Sequence, residues 1–278
     1  MSTPMIDAQR SVQAGRLAPA ALCTVLAPSC DAYSDLWRPF FTQFFRHWPD
    51  CPFPVCLGSN QQTYDDPRVT TIAAEHGNNW TNRVRDQLRK IDTPYVLMIL
   101  EDFFLRSRVP TAEVLSCLTF IHETGGHMVR LVPRPTPDVP VPGQPAFGHI
   151  LPGSPYRLST QAAIWRRETL IAMMRDNESI WQFELAGSPR SAAMPEGFYA
   201  VWKSVMTYGH HVVERGKWFR NAAAEFGPMK IGCDFTRRGI MTRSEMAKWY
   251  WGKVRNELLS LLPRTWRASL KEAVRADA

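Results

Sequence analysis

No two of the six cysteines form a C-x-x-C pair, and none stands at zinc-ligand spacing from a histidine. That excludes zinc-finger and thioredoxin-type chemistry. Cys23, Cys30, Cys51, Cys56, Cys117 and Cys233 read instead as reduced thiols of a cytosolic protein. Also missing is any run approaching the roughly 18–20 apolar residues of a membrane span. There is no secretory leader pattern: the first nineteen residues are mostly polar and small, and the apolar stretch Ala20–Ala27 is short. These absences predict a cytoplasmic location and make the sequons at Asn79 and Asn177 chance matches. Internal repeats are absent. Net positive charge is lacking outside the C-terminus. From Thr236 to Ala278 ten Lys/Arg stand against four acids, so this tail carries six of the seven net charges. The nearly neutral body does not read as a nucleic-acid surface, and no nucleic acid is expected as a partner.

What is present is a large apolar complement: 45% hydrophobic residues, with ten Trp and fourteen Phe in 278 residues. That is enough for one sizeable core. "ALCTVLA" (21–27) reads as a buried strand. Leu36, Trp37, Phe40, Phe41, Phe44, Phe45 and Trp48 then recur at three- and four-residue spacing, which is helical, and Pro49 ends the run. "FPVCLGSN" (53–60) and "RVTTIA" (68–73) read as strands, and "NWTNRVRDQLRKI" (79–91) as a helix with Trp80, Val84, Leu88 and Ile91 on one side. A strand over 95–102, a helix over 111–124 and a strand in "HMVRLVP" follow. This alternation predicts an α/β fold with a mostly parallel sheet. Pro133–Pro155 holds eight prolines and three glycines in 23 residues and is expected to be a long irregular loop. "YRLSTQAAIWRR" (156–167) reads as a strand, "ETLIAMMRD" as a helix, "IWQFELAGS" as a further helix or turn, and "HHVVERGKW" as strand-like around a turn at Arg215–Gly216.

The informative stretch is "TPYVLMILEDFF" (93–104), where six apolar or aromatic residues, Tyr95–Leu100, run into Glu101 and Asp102. Ligands of open α/β sheets bind outside the carboxyl ends of the strands. Paired acids there suit a hard divalent cation, which takes one or two carboxylates plus substrate phosphates. The plain alternative is a strand ending in charge at a surface.

The arrangement "NNWTNRVRDQLRKIDTPYVLMILEDFF" resembles the segment leading to the acidic motif of GT-A glycosyltransferases, the nucleotide-diphospho-sugar transferase superfamily and its family-two-like bacterial members. "CTVLAPSCDAYSDLWRPFF" looks like that family's first strand and helix, and "LSTQAAIWRRETL…WQFE" is similar to its second half. The resemblance covers roughly residues 20–220. It implies a GT-A-like, Rossmann-like mixed sheet flanked by helices. It also implies a nucleotide-sugar donor near Pro28, Ser29, Asp65, Asp66, Arg83, Glu101 and Asp102, and Glu184 as the catalytic base of an inverting transfer. Mg²⁺ or Mn²⁺ on Asp102, with His210 or His211 completing the shell, is the cofactor the resemblance implies. Phe103 stands where a third acidic position would be, which leaves metal dependence open. Arg166–Arg167 could face phosphate or form a solvated turn.

The domain reading is a flexible arm over 1–19, a GT-A-like catalytic domain over 20–235 and a basic helical tail over 236–278. The tail mixes Trp249, Tyr250, Trp251 and Trp266 with Lys and Arg and carries Leu258, Leu259, Leu261 and Leu262. That combination suits an anionic membrane surface, hence a peripheral enzyme of the inner membrane acting on a glycan or glycolipid acceptor of bacterial surface polysaccharide. Equally, it suits a helix packed on the domain. Two other readings stand: a non-catalytic membrane-surface or nucleic-acid binding protein on a degenerate transferase fold, and a nucleotidyltransferase.

Overall fold

The structure, a computed structural model, describes residues 18–75, 79–209 and 211–260. It divides into two compact units, with the boundary between residues 210 and 211.

The N-terminal unit is built on a nine-stranded sheet. In chain order its elements are β1 (Cys23–Ala27), α1 (Ser34–His47), β2 (Val55–Ser59), β3 (Val69–Ala73), α2 (Trp80–Arg89), β4 (Tyr95–Met98), α3 (Thr111–Glu123), β5 (Met128–Arg130), β6 (Val139–Val141), β7 (Gln144–His149), β8 (Ala163–Arg166), α4 (Arg167–Met173), α5 (Ile180–Arg190) and β9 (Phe198–Val201). The spatial order is β3-β2-β1-β4-β8-β5-β9-β7-β6. β3, β2, β1 and β4 are mutually parallel, β8 runs antiparallel between β4 and β5, and β9 is parallel to β5. All five residues of β1 and all four of β4 are buried, as expected for strands covered on both faces. The helical spacing in α1 places Leu36, Trp37, Phe40, Phe41 and Phe44 in the core, each worth about 1.5–3 kcal/mol of burial. Pro39 lies inside this helix, at the cost of one ladder hydrogen bond.

Three sequence expectations change. The proline-rich segment is not irregular: β6 and β7 form a hairpin that extends the sheet through β9. Pro140 fits because β6 is the edge strand, and Pro145 fits because it precedes the residues Phe147–His149 through which β7 pairs with β9. Pro142 and Gly143, the latter at φ +71°, make the turn. The strand expected over 156–167 is confined to Ala163–Arg166, with Arg167 opening the next helix and Leu158 and Ser159–Thr160 serving other contacts. Because β8 is antiparallel, Arg166 pairs with Tyr95 at the start of β4, so the Arg166–Arg167 pair lies at the opposite edge from the acids. There Arg166 donates to the carbonyls of Gly125 and Gly126, and Arg167 donates to that of Ile91.

The C-terminal unit contains the hairpin β10 (Val213–Glu214) and β11 (Lys217–Trp218), turned at Arg215 and Gly216 as the sequence predicts; both residues have positive φ. It also contains α6 (Arg220–Phe226) and α7 (Arg243–Ser260). Trp218 is fully buried, donates its indole N–H to Asp234 O at 3.0 Å and meets the Phe235 ring edge-on. His211 Nε2 pairs with Glu214 at 2.9 Å. That contact, ahead of others, holds the Glu214 carboxyl below its ordinary value. A depressed carboxylate contributes stability above its unfolded pKa and loses it as pH falls through the folded value. Glu214→Gln should therefore destabilise this unit at neutral pH. The gap to the parent protein in urea denaturation should close as the pH falls below the ordinary glutamate range and through the lowered folded value. A constant gap would remove the ion pair from the account.

Candidate functional site

The carboxyl ends of β1, β2 and β4 lie at one edge of the sheet. The chain leaves β1 toward β2 and β3 on one side and returns as β4 on the other, a topological switch point. After β1 the chain enters a tightly fixed loop. Pro28 and Ser29 are buried, Ser29 N–H donates to Gly58 O, and Ser29 Oγ accepts the Trp37 indole N–H at 2.8 Å. The Asp31 carboxylate accepts three consecutive backbone N–H groups, those of Asn60, Gln61 and Gln62, while Asp31 N–H donates to Asn60 Oδ1. This latch joins the β1 and β2 loops and had no sequence signal beyond a lone Asp. Asp31→Ala hands those donors, on half-buried Asn60 and exposed Gln61 and Gln62, back to water and should cost about 0.5–1.5 kcal/mol in urea unfolding. An unchanged midpoint would show the latch to be dispensable.

Glu101 and Asp102 form a turn just past β4, Glu101 buried and Asp102 half-buried. Burial pushes the Cys30 thiol up, the Glu101 carboxylate pushes it further, and Arg83 pulls it back. Cys30 in the β1 loop thus feels a charge from the first turn of α2 and one from the acidic turn. The base of α2 is fixed from behind by reciprocal hydrogen bonds between Thr81 and Glu178, and by Asn79 and Asn82 on Asn177. The third position of the acidic motif turns inward. The Phe103 ring stacks on Tyr208 at 4.7 Å with planes 9° apart. The Tyr208 hydroxyl accepts Ala162 N–H and donates to Gln161 Oε1, and burial raises its pKa.

Glu184 lies in the second turn of α5, not at its start, and is buried. Its Oε1 accepts Thr160 N–H at 2.7 Å and Thr160 Oγ–H at 2.8 Å, whereas Oε2 takes no hydrogen bond from the described residues. One oxygen is anchored and the other left open. Arg130, at the carboxyl end of β5, is fully buried and within electrostatic range of both Glu184 and Tyr208, and Tyr208 in turn feels Asp102. Sequence reasoning did not single out Arg130, because a strand arginine carries no local pattern.

Two expected donor contacts sit apart from this group in their bonding. Asp66 is held by Arg68 through Nε and Nη2, at 2.9 and 2.6 Å, and Asp65 is exposed. His211 belongs to the C-terminal unit and is engaged there by Glu214, while His210 lies outside the described residues. Among the described residues no three His, Cys, Asp or Glu side chains gather to hold a metal ion.

A parallel half β3-β2-β1-β4, a reversed β8, a returning β5–β9 pair and acids closing β4 together define the architecture. The fold is GT-A-like. No protein-family model matches the chain, and no curated protein matches its sequence. Solved structures with a similar trace include residues 1–349 of TarS from S. aureus in complex with UDP, at 12% identity and TM-score 0.42, covering 67% of this chain and 59% of that one. The mannosyltransferase PcManGT from Pyrobaculum calidifontis, in complex with GDP-Man and Mn²⁺, matches at 14% identity and TM-score 0.45 over 76% of this chain and 64% of that one. The 2-C-methyl-D-erythritol 4-phosphate cytidylyltransferase of Thermus thermophilus matches at 13% identity and TM-score 0.44, over 74% and 98%. This chain thus spans less than two thirds of the first two. Values this low describe a partly shared chain trace and assign neither substrate nor chemistry. In the GT-A-like frame, the Glu101–Asp102 turn occupies the carboxyl end of the strand next to β1.

Proposed function

We propose that this chain transfers a glycosyl group from a nucleotide sugar to an acceptor hydroxyl, with inversion at the anomeric carbon. The observation that supports the reading is that Cys30, in the loop after β1, feels both Glu101 past β4 and Arg83 in the first turn of α2, at the switch point between β1 and β4. Pro28 and Ser29 would line the nucleotide, with Asp65 or Asp66 toward the ribose or base, and Arg83 would face the diphosphate. Glu184 Oε2 is the proton acceptor. The acceptor oxygen bonds to the anomeric carbon as the bond from that carbon to the phosphate oxygen breaks. The hydroxyl proton passes to Glu184, and the nucleoside diphosphate departs with the bonding electrons. Arg83 stabilises the charge on the departing diphosphate.

The donor set at the acidic turn is two hard carboxylates with Phe103 closing the third position, so it fits a divalent cation only if substrate oxygens and water complete the shell. Asp102, with Glu101 beside it, would hold Mg²⁺ or Mn²⁺, and the bound ion would neutralise leaving-group charge. On this reading the acceptor is a bacterial surface glycan or a lipid-linked glycan. Tyr250, Trp251 and Val254 are exposed on α7 beside Lys248, a surface for anionic lipid at the inner membrane. Among the described residues no helix is long and apolar enough to cross a membrane.

The test is thermal melting against UDP, GDP, CDP and CMP. One nucleoside diphosphate at about 100 times its Kd should add about 2.7 kcal/mol of apparent stability, a shift of a few degrees. No shift with any of them would defeat the proposal.

A further inference from the structure

Two arginines are completely buried in the N-terminal unit, and they are treated differently. Arg157 spends its guanidinium on Ile150 O, Ser191 O, Ser191 Oγ and Pro195 O, at 2.7–3.2 Å, and stacks on Phe198. Among the described residues Arg130 donates only through Nη1, to Arg134 O at 3.1 Å and Tyr156 O at 3.3 Å, while its Nε and Nη2 have no hydrogen-bond partner there. No carboxylate forms an ion pair with it among the described residues. A buried, incompletely paired cation is costly to keep, so its retention calls for a use.

Next to it the chain leaves a cavity of about 20 Å³ lined by Val132, Arg134, Ser204, Met206, Thr207 and Tyr208. Leu131 O accepts Val205 N–H at 2.9 Å, which fastens the end of β5 to this wall. The Arg134 side chain is exposed and has no ion pair, and neither the Ser204 nor the Thr207 hydroxyl is engaged by another described residue. The cavity wall Tyr208 lies within electrostatic range of Arg134, Arg130 and Asp102, so the cavity borders the acidic turn.

We propose that this cavity is a subsite for a phosphate-class anion, taken by the Arg134 guanidinium and the Ser204 and Thr207 hydroxyls, with the buried Arg130 supplying positive charge from behind. Arg134 presents a planar fork suited to two phosphate oxygens, and the hydroxyls donate to a third. The site stands on its own geometry and rests on the transferase reading only for the source of the anion: the diphosphate of the donor, or a phosphate carried by the acceptor.

The test is calorimetric titration of the full chain with inorganic phosphate, with the nucleoside diphosphate that shifts its melting, and with glycerol 1-phosphate in the presence of that nucleotide. Arg134→Gln is an exposed, fold-neutral change, checked by an unaltered melting curve. It should weaken inorganic phosphate about ten-fold, the loss of one charge-assisted pair. Arg83→Gln should leave the component that depends on Arg134 in place. If Arg134→Gln also weakens the nucleotide, the anion is the donor's. If nucleotide affinity holds and glycerol 1-phosphate is lost, it is the acceptor's. Phosphate binding equal in the parent and in Arg134→Gln, or absent from both, overturns the subsite. Phosphate binding that needs Arg134 in a protein that takes no nucleotide sustains the subsite and removes the transferase reading.

Discussion

Glu184→Gln is expected to lower the rate of sugar transfer roughly a hundred- to ten-thousand-fold while leaving nucleoside diphosphate affinity within about two-fold. The amide keeps a carbonyl oxygen for Thr160 N–H and Thr160 Oγ–H, so the anchor at 2.7–2.8 Å survives. What is lost is the open oxygen that receives the acceptor's proton. Glu184 sits on a helix whose start is fixed by the Ser179–Gln182 capping box, and on a loop fixed by Thr160, so the substitution has little room to act through disorder. Initial rates with the cognate donor, together with nucleotide titration, separate the two effects. Full turnover would remove Glu184 from the base role. Pyrophosphate as the released product would replace the whole reaction with nucleotidyl transfer.

The second large effect concerns Phe103, the position after Glu101 and Asp102. Restoring an acid at the third position of the motif, Phe103→Asp, should destabilise the protein by about 3–5 kcal/mol and should create no tighter metal site. Phe103 is 3% exposed and stacked on Tyr208, whose hydroxyl is already spent on Ala162 and Gln161. An aspartate there loses the stack, leaves a void and puts a further carboxylate into a buried position next to Asp102. Urea unfolding measures the loss, and Phe103→Leu, which keeps most of the volume, should cost much less. A Phe103→Asp protein that unfolds like its parent and binds Mn²⁺ more tightly would show that the side chain faces the site rather than the core.

Much of the fold was legible because its strongest elements are local. The aromatic spacing from Leu36 to Phe44 can only be a buried helix face, and Tyr95–Met98 can only be an inner strand, since each pattern has one partner geometry that buries it. Elements defined by their neighbours were not legible. β9 is four residues, Phe198–Val201, and is a strand because β5 and β7 flank it. The β6–β7 hairpin tolerates its prolines because Pro140 is on the edge strand, Pro142 is in the turn and Pro145 lies outside the stretch of β7 that pairs with β9. The same division holds at the site. Glu101 and Asp102 announce themselves as acids closing an apolar run, whereas Arg83 was singled out only by the resemblance. The Asp31 latch, by contrast, depends on residues 60–62, and Arg130 acquires its character only from burial. The direction of β8 also had no sequence signature, and it carries Arg166 away from the acids.

The most direct measurement is a crystal structure of the protein soaked with the nucleoside diphosphate that raises its melting temperature. The account predicts the diphosphate between the Pro28–Asp31 loop and the Glu101–Asp102 turn, within hydrogen-bonding reach of Arg83. A nucleotide bound elsewhere with that crevice unfilled, or Arg83 turned away from the phosphates, would contradict it.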